Sequence, residues 1–217
     1  MNRVIDFSLL ALVLSTIWMM GSSRLITGIR VLIFHGYIFA YLTLILGEGT
    51  IDLRIGFIAL FNWMTKSWLV PHLLIRAMRR TEIRAEHKPI LSYLTSIVLS
   101  VIIFSFSLWL LAPERLHFRQ RLPSNIFLPT AMFLILCGLL LIIARSNALM
   151  QVIGYLTLEN GVILTGLVLA RDEPLLLEMG ILIDILGVVF IMGIVIFHIG
   201  RTFESIGVEQ LTLLKDD

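Results

Sequence analysis

Seven stretches of this 217-residue sequence, roughly Val4–Met20, Ile26–Leu46, Ile55–Arg76, Ile90–Ala112, Pro123–Ala144, Gln151–Ala170 and Leu175–Ile199, are predominantly apolar over 17 to 25 residues each. A helix that crosses a bilayer needs about 17–25 such residues, so each stretch is long enough to span. The runs are apolar all round and lack the period-2 alternation of a membrane barrel. That leaves the α-helix as the way to satisfy every backbone N–H and C=O in lipid. With 58% hydrophobic residues and a mean hydropathy of +0.96, a water-soluble core is excluded. The expected fold class is all-α: a polytopic membrane protein with about seven transmembrane helices.

The formal net charge is only +2, and the placement of the cations says more than their sum. With spans alternating, ten Lys and Arg residues fall on one side and six on the other, and Lys66 lies inside a span. The positive-inside rule then predicts an outside N-terminus and a cytoplasmic C-terminus. The densest basic loop, Arg76–Lys88, is cytoplasmic in this arrangement, either as a topology determinant or as a contact for lipid headgroups or a peripheral partner. The first span reads as retained, because Asp6 interrupts its start and no A-x-A-like cleavage site precedes Gly21-Ser22-Ser23-Arg24. Two longer loops, about Ala77–Pro89 and Pro113–Leu122, divide the chain into three helices, a fourth and a closing three, giving an N-terminal four-helix region (1–113) and a three-helix region with a short cytoplasmic tail (122–217). Pro123 suits the first turn of the fifth helix, whereas Pro129 and Pro71 are expected to kink the fifth and third.

Four ionisable side chains fall near the middle of predicted spans: His35, Lys66, Glu159 and Asp184. On insertion scales Lys66, Glu159 and Asp184 together would cost roughly 8–10 kcal/mol if charged and unpaired, comparable to the stability of a whole domain. They must be paired, neutral or hydrated. Residues of this kind mark proton or ion paths, and the competing reading is a lysine–carboxylate pair that fixes helix register. Tyr155 lies one turn before Glu159, close enough for its hydroxyl to reach the carboxylate, and Asn160 is adjacent. Asn62 precedes Lys66 by one turn, and Pro71 removes the backbone bond to the Ser67 carbonyl, a polar break beside a buried amine. Gly180, Asp184 and Gly187 share one helix face, and Gly154 and Gly161 are a heptad apart, both small-residue patterns that let helices approach in lipid. Glu178, near the outer end of the last span, is either the entrance to a path or an interfacial residue.

Other chemistries find little support. The single cysteine, Cys137, leaves no ligand set for a disulfide, a thiolate zinc site or an iron–sulfur cluster. A b-type haem needs two imidazoles at one depth. His35 is deep, His72 lies near the cytoplasmic boundary, His198 sits at a helix end, and His87 and His117 fall in loops. Walker A, G-x-G-x-x-G, H-E-x-x-H and G-x-S-x-G elements are absent, and nothing indicates nucleic acid as a partner.

The segments Arg145–Leu167 (RSNALMQVIGYLTLENGVILTGL) and Glu178–Asp217 (EMGILID…GRTFESIGVEQLTLLKDD) resemble hydrogenase-4 component E, as do Thr65–Pro71 (TKSWLVP) and the early loop Ser23-Arg24-Leu25. The resemblance implies a non-catalytic subunit in the membrane arm of a formate-hydrogenlyase-type group 4 [NiFe] hydrogenase, in a bacterial or archaeal plasma membrane. It implies antiporter-like and quinone-site-like membrane subunits as partners, with a peripheral arm carrying the nickel–iron and iron–sulfur centres, and no cofactor in this chain. The last three helices are also similar to the K-type subunit (NuoK) of respiratory complex I, in which two membrane glutamates belong to the proton path. Glu159 and Asp184 stand about one turn from those positions. On this reading the path comprises Glu159, Asp184, Lys66, Tyr155, His35 and Glu178. The alternatives are a structural bridge between pump modules, a K-type subunit of a cation/proton antiporter, and a haem-bearing quinone-reactive cytochrome.

Overall fold

The structure is a computed structural model that describes residues 2–46, 60, 63–81, 89–112, 122–169, 187 and 193. Among these residues every regular element is a helix. They are α1 (Asn2–Met20), α2 (Leu25–Leu46), a π-helix (Met64–Leu69) that runs into α3 (Val70–Thr81), α4 (Tyr93–Leu110), α5 (Phe127–Ala144) and α6 (Ala148–Leu169). Five stretches are long and apolar enough to cross a membrane: Arg3–Met20, Leu25–Leu46, Tyr93–Leu110, Phe127–Ala144 and Ala148–Leu167. They coincide with the first, second, fourth, fifth and sixth expected spans. Most of the third expected span before Trp63, and nearly all of the seventh, lie outside the described residues.

Side-chain size decides how these helices assemble. Lipid offers no hydrophobic drive between apolar helices, so close backbone packing takes over. The closest crossing is α5 against α6: a methyl group at Gly154 would stand 2.9 Å from the Gly138 carbonyl oxygen, and one at Gly161 would stand 2.6 Å from that of Ala131. The Gly154–Gly161 pair therefore serves α5. Helix α1 packs on α2, α4 and α5, and α2 packs on α6, the π-helix and α3. Helix α4 stands at the edge with Ser96, Ser100 and Ser107 turned inward, while Leu94, Ile102 and Trp109 face out. Buried hydroxyls are satisfied within their own helices, as where Thr16 donates to the Leu12 carbonyl (2.8 Å) and Thr157 to that of Ile153 (2.8 Å). Outward leucine, isoleucine and tryptophan over inward serine is the arrangement of a protein whose surroundings are lipid.

Several local expectations are corrected. Helix α5 begins at Phe127, so Pro123 lies before it, and Pro129 falls in its first turn rather than its interior. There the missing N–H is one of the unpaired helix-start donors, and no kink is required. The basic segment Arg76–Arg80 is not loop. Helix α3 continues to Thr81, burying Val70, Leu74 and Ala77 on one face and exposing His72, Arg76 and Arg79 on the other. Pro71 produces a wider ladder in place of a simple kink: the Val70 N–H donates to the Thr65 carbonyl, five residues back. In that register the proline nitrogen faces the carbonyl of Lys66 rather than Ser67.

Candidate functional site

The π turn is what presents Lys66. A π segment widens the helix by one residue per turn and changes the direction of the side chains it carries, and such segments recur at functional sites. The turn also sits close to α2. A side chain at Gly36 would strike the Ser67 hydroxyl and come within 3.2 Å of the Lys66 carbonyl carbon, so only glycine admits the π-helix backbone at this distance. Ser67 Oγ donates to the Ile33 carbonyl at 3.5 Å, tying the turn to α2 at a second point.

Lys66 is only 7% exposed, and its Nζ reaches α6. It donates to Asn160 Oδ1 at 2.8 Å and stands 3.9 Å from Glu159 Oε1, with the Phe39 ring centroid 5.7 Å away. Glu159 and Asn160, the twelfth and thirteenth of the 22 residues of α6, are each 2% exposed. His35, fully buried, is the eleventh of the 22 residues of α2. Its Nδ1 lies 3.4 Å from Asn160 Nδ2 and its Nε2 lies 2.9 Å from Ser15 Oγ on α1. Four elements thus meet at the centre of the bundle around one cation and one carboxylate. The ion pair and the Asn160 acceptor together offset part of the penalty that the Lys66 ammonium would carry alone at this depth.

Of the residues singled out in the sequence, Lys66, Glu159 and His35 come together in this way. Tyr155 joins them from the side: a methyl group at Gly187 would stand 3.2 Å from Glu159 Oε2 and 3.3 Å from Tyr155 Cε1, so both side chains face that glycine. Asp184, Glu178 and Asn62 lie outside the described residues. His72 is exposed and stacks on Trp68 with 6.2 Å between ring centroids. Both nitrogens of His35 face polar side chains, which leaves neither directed at an iron, and the two histidines among the described residues, His35 and His72, do not make a bis-histidine haem site. No group of three or more His, Cys, Asp or Glu that could hold a metal occurs among the described residues.

Sequence reasoning missed Ser15 and Arg145, and gave Asn160 no role of its own. Ser15 carries no signal, because serine is common in membrane helices. Arg145 falls between two expected spans in the sequence, where a cation reads as a loop residue, yet it is fully buried. Its Nη2 donates to the Met20 carbonyl at the end of α1 at 2.5 Å, and its guanidinium lies 4.5 Å from the Tyr93 ring centroid at the start of α4. Gln151 Nε2 donates to the Arg145 carbonyl at 3.0 Å, and the Ile90 N–H to that of Ala144 at 3.0 Å. At α5's other end, Ser124 donates to Asp6 of α1 and accepts from the Ile126 N–H.

Hydrogenase-4 component E of Escherichia coli K12 is 30% identical over 153 residues, covering 70% of this chain and 70% of that protein. The chain belongs to the hydrogenase-4 component E family. Its counterpart in Shigella flexneri matches to the same extent. A protein of Mycobacterium tuberculosis described as uncharacterised is 23% identical over 214 residues, 98% of this chain and 96% of that protein. No family model matches the chain, and no solved structure does.

Proposed function

We propose that this member of the hydrogenase-4 component E family is a non-catalytic integral subunit of a membrane-bound group 4 [NiFe] hydrogenase, in a bacterial or archaeal plasma membrane. Its task is to move protons coupled to electron transfer that takes place in partner subunits. The observation that carries this reading is the Lys66–Glu159 pair, 3.9 Å apart at the centre of the bundle and shielded from the surroundings. A carboxylate in contact with an ammonium is a group whose proton affinity answers to its neighbour's charge, which is what a relay requires. We assign Asp184, three residues before Gly187 in the sequence, as the next acid of the path, together with Tyr155 and Glu178. Residues 122–217 are read as the K-type-like part of the chain. The partners on this reading are antiporter-like and quinone-site-like membrane subunits and a peripheral arm with nickel–iron and iron–sulfur centres.

Glu159→Gln keeps the volume and removes the exchangeable proton. It is expected to leave the complex assembled while lowering proton translocation per hydrogen or formate turned over by about tenfold or more. The same ion pair also supports a structural reading, in which the charges only hold α6 to the π-helix. Losing one member then strands the other at about 3–5 kcal/mol, and assembly fails first. The double change Lys66→Met with Glu159→Met separates the two: under the structural reading function returns with assembly, whereas under ours the complex assembles as it does with Glu159→Gln and transport stays lost. Partners copurified from native membranes distinguish a hydrogenase from an antiporter, since only the former carries nickel–iron subunits.

A further inference from the structure

The polar groups beyond Lys66 form a chain whose hydrogen-bond direction is determined by its first member. An ammonium has no lone pair, so the atom of Asn160 that faces Lys66 Nζ at 2.8 Å is the acceptor Oδ1, and the amide nitrogen must point the other way. It points at His35 Nδ1, 3.4 Å away, which must therefore be the unprotonated, accepting nitrogen. The ring proton then sits on Nε2 and is donated to Ser15 Oγ at 2.9 Å. Ser15 in turn donates to the Leu12 carbonyl at 3.0 Å. Every donor points away from Lys66, from the π-helix through α6 and α2 to the backbone of α1.

Such a chain is polarised along its length, and each bond strengthens the next. It is a poor conductor. One link is an amide, which holds its protons tightly and scarcely accepts another, and the last is a backbone carbonyl, which gives a transferred proton nowhere to go. We infer that Asn160 and His35 are positioning residues rather than proton carriers: with Ser15 they give the Lys66 ammonium a neutral second acceptor, so it stays in place while Glu159 gains and loses its proton. The inference rests on the proton-path reading above for its purpose and on the hydrogen-bond chain for its content. It takes His35 out of the set of carriers. It also explains why an amide stands beside Glu159, where a second carboxylate would compete for the lysine.

The test has two arms. In the full chain in lipid bilayers, with 15N-labelled histidine and His35→Asn to assign the signal, His35 is expected as the single neutral Nε2–H tautomer at neutral pH. An imidazolium, or the Nδ1–H form, overturns the inference. In the assembled complex, His35→Asn, whose side-chain oxygen takes the place of Nδ1 but cannot titrate, is expected to keep translocation within about twofold of wild type. Asn160→Leu and His35→Leu are expected to lower it about tenfold. Equal loss in His35→Asn and His35→Leu would make His35 a carrier and overturn the inference. If Glu159→Gln leaves translocation intact, the path reading fails by itself, and the tautomer measurement still decides the hydrogen-bond chain.

Discussion

Arg145 shows how much one side chain can organise. A guanidinium between the end of α1 and the start of α4 meets the C-terminus of α1, where the last carbonyls lack partners within the helix and the helix dipole favours a cation. Its planar face lies on Tyr93, 4.5 Å from the ring centroid. A hydrogen bond to a charged group and a desolvated cation–π contact together contribute about 2–4 kcal/mol. Arg145→Ala is therefore expected to lower stability by about that amount, read as a reduced unfolding temperature of the purified chain in detergent. Arg145→Lys should recover only part of it, because a point charge keeps the attraction to the carbonyl but loses the flat stacking surface. Full recovery by lysine would show that charge alone matters. The residue was legible in the sequence as a cation just after an apolar run, but its burial was not, because nothing local distinguishes a snorkelling arginine from one that other helix ends enclose.

At the scale of the helix, the α5–α6 crossing and the π turn do different work with the same small residues. Backbones that touch at Gly138, Gly154 and Gly161 leave no room for a side chain. Gly154→Leu is expected to abolish accumulation of folded protein in membranes. Gly166 lies on the same helix with nothing within 4 Å of a would-be methyl group, so Gly166→Ala is expected to be neutral or stabilising by up to about 1 kcal/mol. A comparison of membrane-inserted protein levels for the two variants checks this, and similar losses in both would mean that glycine acts through flexibility rather than close approach. The pairing of Gly154 with Gly161 was visible as a heptad spacing, but the helix they serve was not. Gly36 gave no periodic signal at all. Its requirement arises only where the widened turn carrying Lys66 comes against α2, a contact between residues about thirty apart in the chain.

At the scale of the whole molecule, orientation is a matter of charge and can be tested apart from the site. In a Cys137→Ala background, single cysteines at Ser205 and Glu82 should be protected from impermeant thiol reagents in intact cells, and one at Glu48 should be labelled. Labelling of position 205 from outside would reverse the orientation. What the sequence determined unaided is the helical, membrane-embedded character of the chain and the five spans the structure describes. Lengths and apolarity of local segments decide those, because lipid forces each segment to satisfy its own backbone. It also marked Lys66 and Glu159 as costly in lipid and set His35 at a similar depth, since the cost of a charge depends on depth, and depth can be counted along a helix. The tertiary structure alone decided which of them meet. Lys66 and Asn160 are 94 positions apart and His35 and Asn160 are 125 apart, and no local pattern encodes the rotation of one helix against another. That rotation is set where glycines let backbones close and where the π turn swings a lysine inward, which is why Asn160, Ser15 and Arg145 acquired their roles only in three dimensions.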